Sequence, residues 1–79
     1  MPQYFFDTHD GHALRDNEGL VFADLSRARA EVQRVLGEMV AREPSDTNAI
    51  QIRVDVRDEG GDRVLTATLL VVIEEKPRQ

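Results

Sequence analysis

No cysteine occurs anywhere in the 79 residues. That excludes a disulfide staple and a thiolate metal site, so the fold must rest on an efficient core or on a partner subunit. No apolar stretch approaches the roughly 20 residues that cross a bilayer as a helix. The opening Met1-Pro2-Gln3-Tyr4 lacks the basic and apolar regions of a signal peptide, and a cytoplasmic location is the expectation. Lysine is nearly missing too: Lys76 stands alone among ten basic residues. The arginines in its place match coding bias in a GC-rich genome and carry no functional weight. There is no internal repeat and no low-complexity stretch. No glycine loop could cradle a phosphate, and Ser26 and Ser45 lie in no triad-like setting. No catalytic residue and no cofactor is expected.

Fifteen acidic residues face ten basic ones, a formal net charge of −5. This balance argues against a general nucleic-acid binder and against docking on an anionic membrane, since both need clustered positive charge. A local basic patch is still allowed. The length permits one domain, and so short a chain buries only about 60% of its unfolded surface, leaving a thin stability margin.

Tyr4-Phe5-Phe6 opens a strand, with aromatic bulk on both faces. Asp10-Gly11 is a two-residue hairpin turn, which sets His9 opposite His12. Asp16 to Gly19 form a second turn, and Leu20-Val21-Phe22 continues or resumes the second strand. Asp24 caps a helix. Placed at helical intervals, Leu25, Ala28, Val32, Val35, Leu36, Met39 and Val40 fall within about 140°, a core-facing stripe. Arg27, Glu31, Arg34, Glu38 and Arg42 take the opposite face, with Arg34–Glu38 and Glu38–Arg42 as i,i+4 pairs. Pro44 ends the helix after about 20 residues, or about 30 Å. Gly37 lies on the flank of the stripe, either for a close approach or by drift.

Ile50, Ile52, Val54 and Val56 alternate with Gln51, Arg53, Asp55 and Arg57, so this strand has one buried and one wet face. Glu59 to Asp62 turn the chain, and Leu65 to Ile73 form the last strand. A four-residue loop pairs Asp58 with Arg63 and sets Val56, Val54, Ile52 and Ile50 against Leu65, Ala67, Leu69 and Val71, with Arg53 against Thr68 and Asp55 against Thr66 on the other face; a two-residue loop is the alternative and keeps the same faces. A one-residue slip would mix apolar with polar faces. The expected fold is α+β: a two-layer β-β-α-β-β domain over residues 1–73, one amphipathic helix on a mainly antiparallel sheet, followed by a charged tail over 74–79. The first and last strands are apolar on both faces, which suggests central positions and the strand order 2-1-4-3.

Three groups of residues are candidates for function. Asp7, His9 and His12 would project from one face of the hairpin, with Asp16 on that side, and two imidazoles with a carboxylate could hold Zn²⁺ or Fe²⁺. The blander alternative is a set of polar residues near an exposed tip. Arg29 falls inside the apolar arc; its stem could cover the core edge with its head in water, or its guanidinium could bind a carboxylate. Leu70 and Val72 point away from the helix, Val64 lies on the same strand, and Tyr4-Phe5-Phe6 raises the same question at the other end. One helix cannot cover both faces of a sheet, so an outer apolar patch is expected to serve as an interaction surface. A second copy is the simplest occupant. Glu74-Glu75-Lys76-Pro77 reads as a guard against aggregation of that strand.

The order Tyr4-Phe5-Phe6, His9-Asp10-Gly11, Asp16 to Gly19, Asp24-Leu25 with Ala28-Arg29-Ala30-Glu31, and Val56-Arg57-Asp58-Glu59 with Gly61 resembles a family of short bacterial proteins, of rhizobial type, known only as a domain of unknown function. The resemblance covers nearly the whole chain. It implies a bacterial, cytoplasmic, stand-alone domain and carries no activity to any residue. The leading expectation is a non-enzymatic interaction or self-association module, with a homodimer or a small protein as partner. The rivals are an antitoxin-like regulator associated with nucleic acid, needing Arg53 and Arg57 beside Arg15 or Arg63, and a metal-binding domain on His9 and His12.

Overall fold

The computed structural model describes residues 1–77. The chain runs β1 (Gln3–His9), β2 (Ala13–Leu14), β3 (Leu20–Val21), α1 (Leu25–Ala41), β4 (Ala49–Arg57) and β5 (Arg63–Val72). Five strands form one antiparallel sheet with the order β2-β1-β4-β5, and β3 joins β1 on the same margin as β2. The helix lies on one face, so the fold is α+β in two layers. Of the 74–79 tail, Arg78 and Gln79 lie outside the described residues. Among the described residues no helix is long and apolar enough to cross a membrane.

The core forms where the helical stripe meets the alternating strand. Ile52, Val54 and Val56 are fully buried, and Ala28 and Val32 of α1 pack in one cluster with Val54 and Val56. Tyr4 and Phe6 complete the centre, with Phe22, Val35, Leu36, Met39, Leu65 and Ala67 packed around it. Phe22 meets Phe6 edge-to-face at 6.0 Å between ring centroids, an arrangement that aligns ring edge with ring face. Asp24 caps the helix by accepting a hydrogen bond from the Arg27 N–H at 3.0 Å. The helix has 17 residues and stops at Ala41, three short of the length read from the sequence, with Arg42 as its C-cap. On its solvent side Arg34 bridges both Glu31 and Glu38 at 2.6 Å. The expected Glu38–Arg42 pair is not among the ion pairs of the described residues, since Glu38 turns to Arg34 instead.

The β4–β5 register pairs Val56 with Leu65, Val54 with Ala67, Ile52 with Leu69 and Ile50 with Val71. Parity therefore follows the apolar pattern, as the alternation requires. The turn end differs from expectation. Arg63 pairs with Arg57 rather than Asp58, and the register shifts there, leaving Val64 as the extra residue of a bulge. Asp58 is occupied within the turn, where its side chain accepts from the Gly60 and Asp62 N–H groups at 3.0 Å each.

Two other expectations need correction. The central strands are β1 and β4, and the last strand is an edge, so the order 2-1-4-3 does not occur. The charged wet side of β4 explains this: Asp55 draws partners from strands on both sides. The second strand is not continuous either. Between β2 and β3, Asp16 takes over the ladder: its carboxylate accepts from the Phe6 N–H at 3.0 Å, and its own N–H donates to Asp7 at 2.9 Å.

Candidate functional site

The face of the sheet opposite α1 carries the odd-numbered side chains of β1 and β4 and the even-numbered ones of β5, with Arg63 joining them across the bulge. It divides into a charged half and an apolar half.

The charged half is built around two carboxylates. Asp7 and Asp55 pair directly across β1 and β4. Arg57 grips Asp7 with two nitrogens, Nε at 2.6 Å and Nη2 at 3.2 Å, and also donates to the Asp16 carbonyl at 2.8 Å. The same guanidinium lies 5.0 Å over the Phe5 ring, so Phe5 is roofed rather than left as a patch. Hydrogen bonding from Arg57 holds the Asp7 carboxyl below the usual range. Burial is the largest single influence on Asp16 and pushes its pKa upward, but the N–H groups of Phe6, Gly19 and Glu18 together outweigh it and hold it low. Asp55 is buried, at 7% exposure. Thr66 Oγ1 donates to it at 2.8 Å, and His9 Nε2, Arg53 Nε and Arg63 Nη1 stand 3.5, 3.4 and 3.8 Å away.

The structure distributes the hairpin residues differently from the sequence reading. Asp7 and His9 share the outer face, but Asp7 is bound to Arg57 and His9 turns to Asp55. His9 pairs with Ala13, not His12, because the loop has three residues, Asp10-Gly11-His12, with Gly11 at φ +100°. His12 is exposed within that loop. Among the described residues no three His, Asp or Glu side chains form a group that could hold a metal ion. An open hollow of about 710 Å³ lies between the hairpin tip and the start of β4, lined in part by His9, His12, Glu43, Gln51 and Arg53.

The apolar half lies along β5. Leu70 is 65% exposed, Val72 58% and Val64 38%, and Ile73 just beyond the strand is 48% exposed. On the helix side, Leu65 and Leu69 are only half-buried, whereas their β4 partners Val56 and Ile52 are fully buried; Val71 and its partner Ile50 are both half-buried. The helix sits over β4 and leaves β5 partly uncovered. Arg29 is exposed and lines a groove of about 350 Å³ between α1 and β5 with Val32, Leu36, Leu65 and Ala67.

Sequence reasoning set Asp55 against Thr66, as the structure has it, but missed the Arg57 link from Asp7 to the Asp16 loop and the approach of His9 and Arg63 to Asp55. The available signal was the wet side of the clearest strand: Arg53, Asp55 and Arg57 alternate in sign, and in a central strand such charges must be met from neighbouring strands.

No curated protein and no solved structure matches the chain. A family model described as Domain of unknown function (DUF6894) matches residues 3–70, and the chain belongs to that family.

Proposed function

We propose that this domain is a non-enzymatic interaction module that self-associates through the β5 side of its sheet. One observation carries the reading: β5 is a ten-residue edge strand with a single charged residue, Arg63, at its start. Natural edge strands are ordinarily short, charged, broken by proline or covered, because a bare edge pairs with other chains. Here four of the exposed large apolar residues, Val64, Leu70, Val72 and Ile73, gather on that strand and its exit.

The surface area supports the same reading. The chain exposes 6038 Å², against about 4,800 Å² for a compact monomer of its mass. The exposed tail and the uncovered β5 side chains both contribute to that excess of about 1,200 Å². The outer arginines support it in another way. Arg53, Arg57 and Arg63 do share a face, but each leans on a carboxylate, which favours a protein partner over a nucleic acid.

Sedimentation equilibrium from micromolar to millimolar protein tests the proposal. Mass should rise from 8.9 kDa toward twice that value. Replacing Leu70 and Val72 together with lysine should weaken association at least tenfold while the fold persists. A strict monomer across the whole range would defeat the reading.

A further inference from the structure

The β5 edge has a shape and composition that select one occupant, and this inference rests on the self-association reading above. We infer that β5 pairs antiparallel with β5 of a second copy about a two-fold axis near Thr68, joining two sheets into one with both helices on the same side.

Symmetry fixes most of this geometry. Two identical strands become antiparallel neighbours only about an axis normal to the sheet, and such an axis keeps each face on its own side. Opposed residues then share a face, since side chains alternate along each strand. With Thr68 on the axis, Leu65 meets Val71 of the partner and Ala67 meets Leu69 on the helix side. On the outer side Thr66 meets Leu70 and Val64 meets Val72.

No charge lies between residues 64 and 72, so no like-charge pair opposes the union. The half-buried helix-side residues of β5 gain the cover that α1 does not give them. The groove between α1 and β5 is lined by Leu36, Leu65 and Ala67 along the same margin, so Leu69 and Val71 of the partner copy come to lie beside it. A standard interface takes about 800 Å² from each partner, within the excess of about 1,200 Å² that β5 shares with the tail.

The absence of native cysteine makes the test clean. Thr68→Cys places one exposed thiol at the axis, where opposed Cα atoms of an antiparallel pair lie about 4.5–5.5 Å apart. Gln51→Cys places a thiol on the exposed outer side of β4, at least about 14 Å from its symmetry mate across three strand spacings. Under mild oxidation, or with a short thiol-to-thiol cross-linker, T68C should become mostly covalent dimer and Q51C should stay mostly monomer. Thr66→Cys mixed with Leu70→Cys, an opposed pair, should give the mixed dimer and guards against a strained self-disulfide at position 68. If light scattering finds a dimer but neither T68C nor the mixed pair cross-links, the edge geometry is wrong and self-association stands. Stronger linking at Q51C would assign stacking of outer faces instead, and equal linking at both would mean random collision; either result overturns the inference.

Discussion

Asp7 and Asp55 stand directly opposite each other on the middle strands of the sheet, each under its own cationic cover. Opposed like charges repel across a ladder. Arg57 answers the first at 2.6 Å, and Arg53 and Arg63 lean toward the second at 3.4 and 3.8 Å. The arrangement ties four segments together: β1, the Asp16 loop, β4 and the start of β5.

Acid should loosen this arrangement. Asp7 and Asp16 both have folded pKa values below the ordinary range, so their stabilisation is complete above the unfolded value near 4 and is lost as pH falls through the folded values. The urea midpoint should hold from neutrality to about pH 5 and decline below about pH 4. Asp16→Asn should start lower at neutral pH and lose less on acidification. A variant whose decline matched the parent would contradict the role given to Asp16.

Ile52 is fully buried on the same side of β4 as Val54 and Val56. Ile52→Ala should cost about 2–5 kcal/mol, and Ile52→Val about 0.5–1.5 kcal/mol. A domain of this length has only roughly 4–12 kcal/mol in total, so the alanine variant sits near the limit of folding. Chemical denaturation followed by circular dichroism checks both, and near-equal losses would count against a tightly packed site.

Two glycines should respond with opposite signs. A methyl at Gly19 would meet the Tyr4 carbonyl and the Phe5 ring at 2.9 Å each, and the backbone there has φ +72°. Gly19→Ala should cost about 1–3 kcal/mol. At Gly37 a methyl meets nothing within 4 Å, so close approach is not the reason for glycine there. Gly37→Ala should stabilise the helix by about 0.5–1 kcal/mol. Thermal melts of the two variants should move in opposite directions.

Asp24→Ala should cost about 1 kcal/mol by freeing the Arg27 N–H, and Asp24→Ser should restore most of it. Equal melting temperatures for the alanine and serine variants would show that the cap contributes little.

Most of the core was legible because two periodicities meet in it. The helical stripe names Ala28 and Val32, and the alternation of β4 names Ile52, Val54 and Val56. Parity then sets the register of β5, since any odd slip buries charge. The strand order was not legible, because apolar residues on both faces of Leu65–Val72 look the same in a central strand as in an edge. The outer site was hidden for a different reason. Arg57 reaches Asp7 across 50 positions of sequence, and the Asp16 loop looked like an ordinary turn until its carboxylate was seen within the ladder.

The interrupted margin of the sheet has a bearing on stoichiometry. Among the described residues, only two-residue strands lie beyond β1, with the Asp16 carboxylate plugging the gap between them. A newcomer strand finds no continuous row of free amides and carbonyls on that flank. Growth by strand addition is thus available at one flank alone, and a pair joined there has none left, so such an assembly closes at two molecules instead of propagating into a fibre.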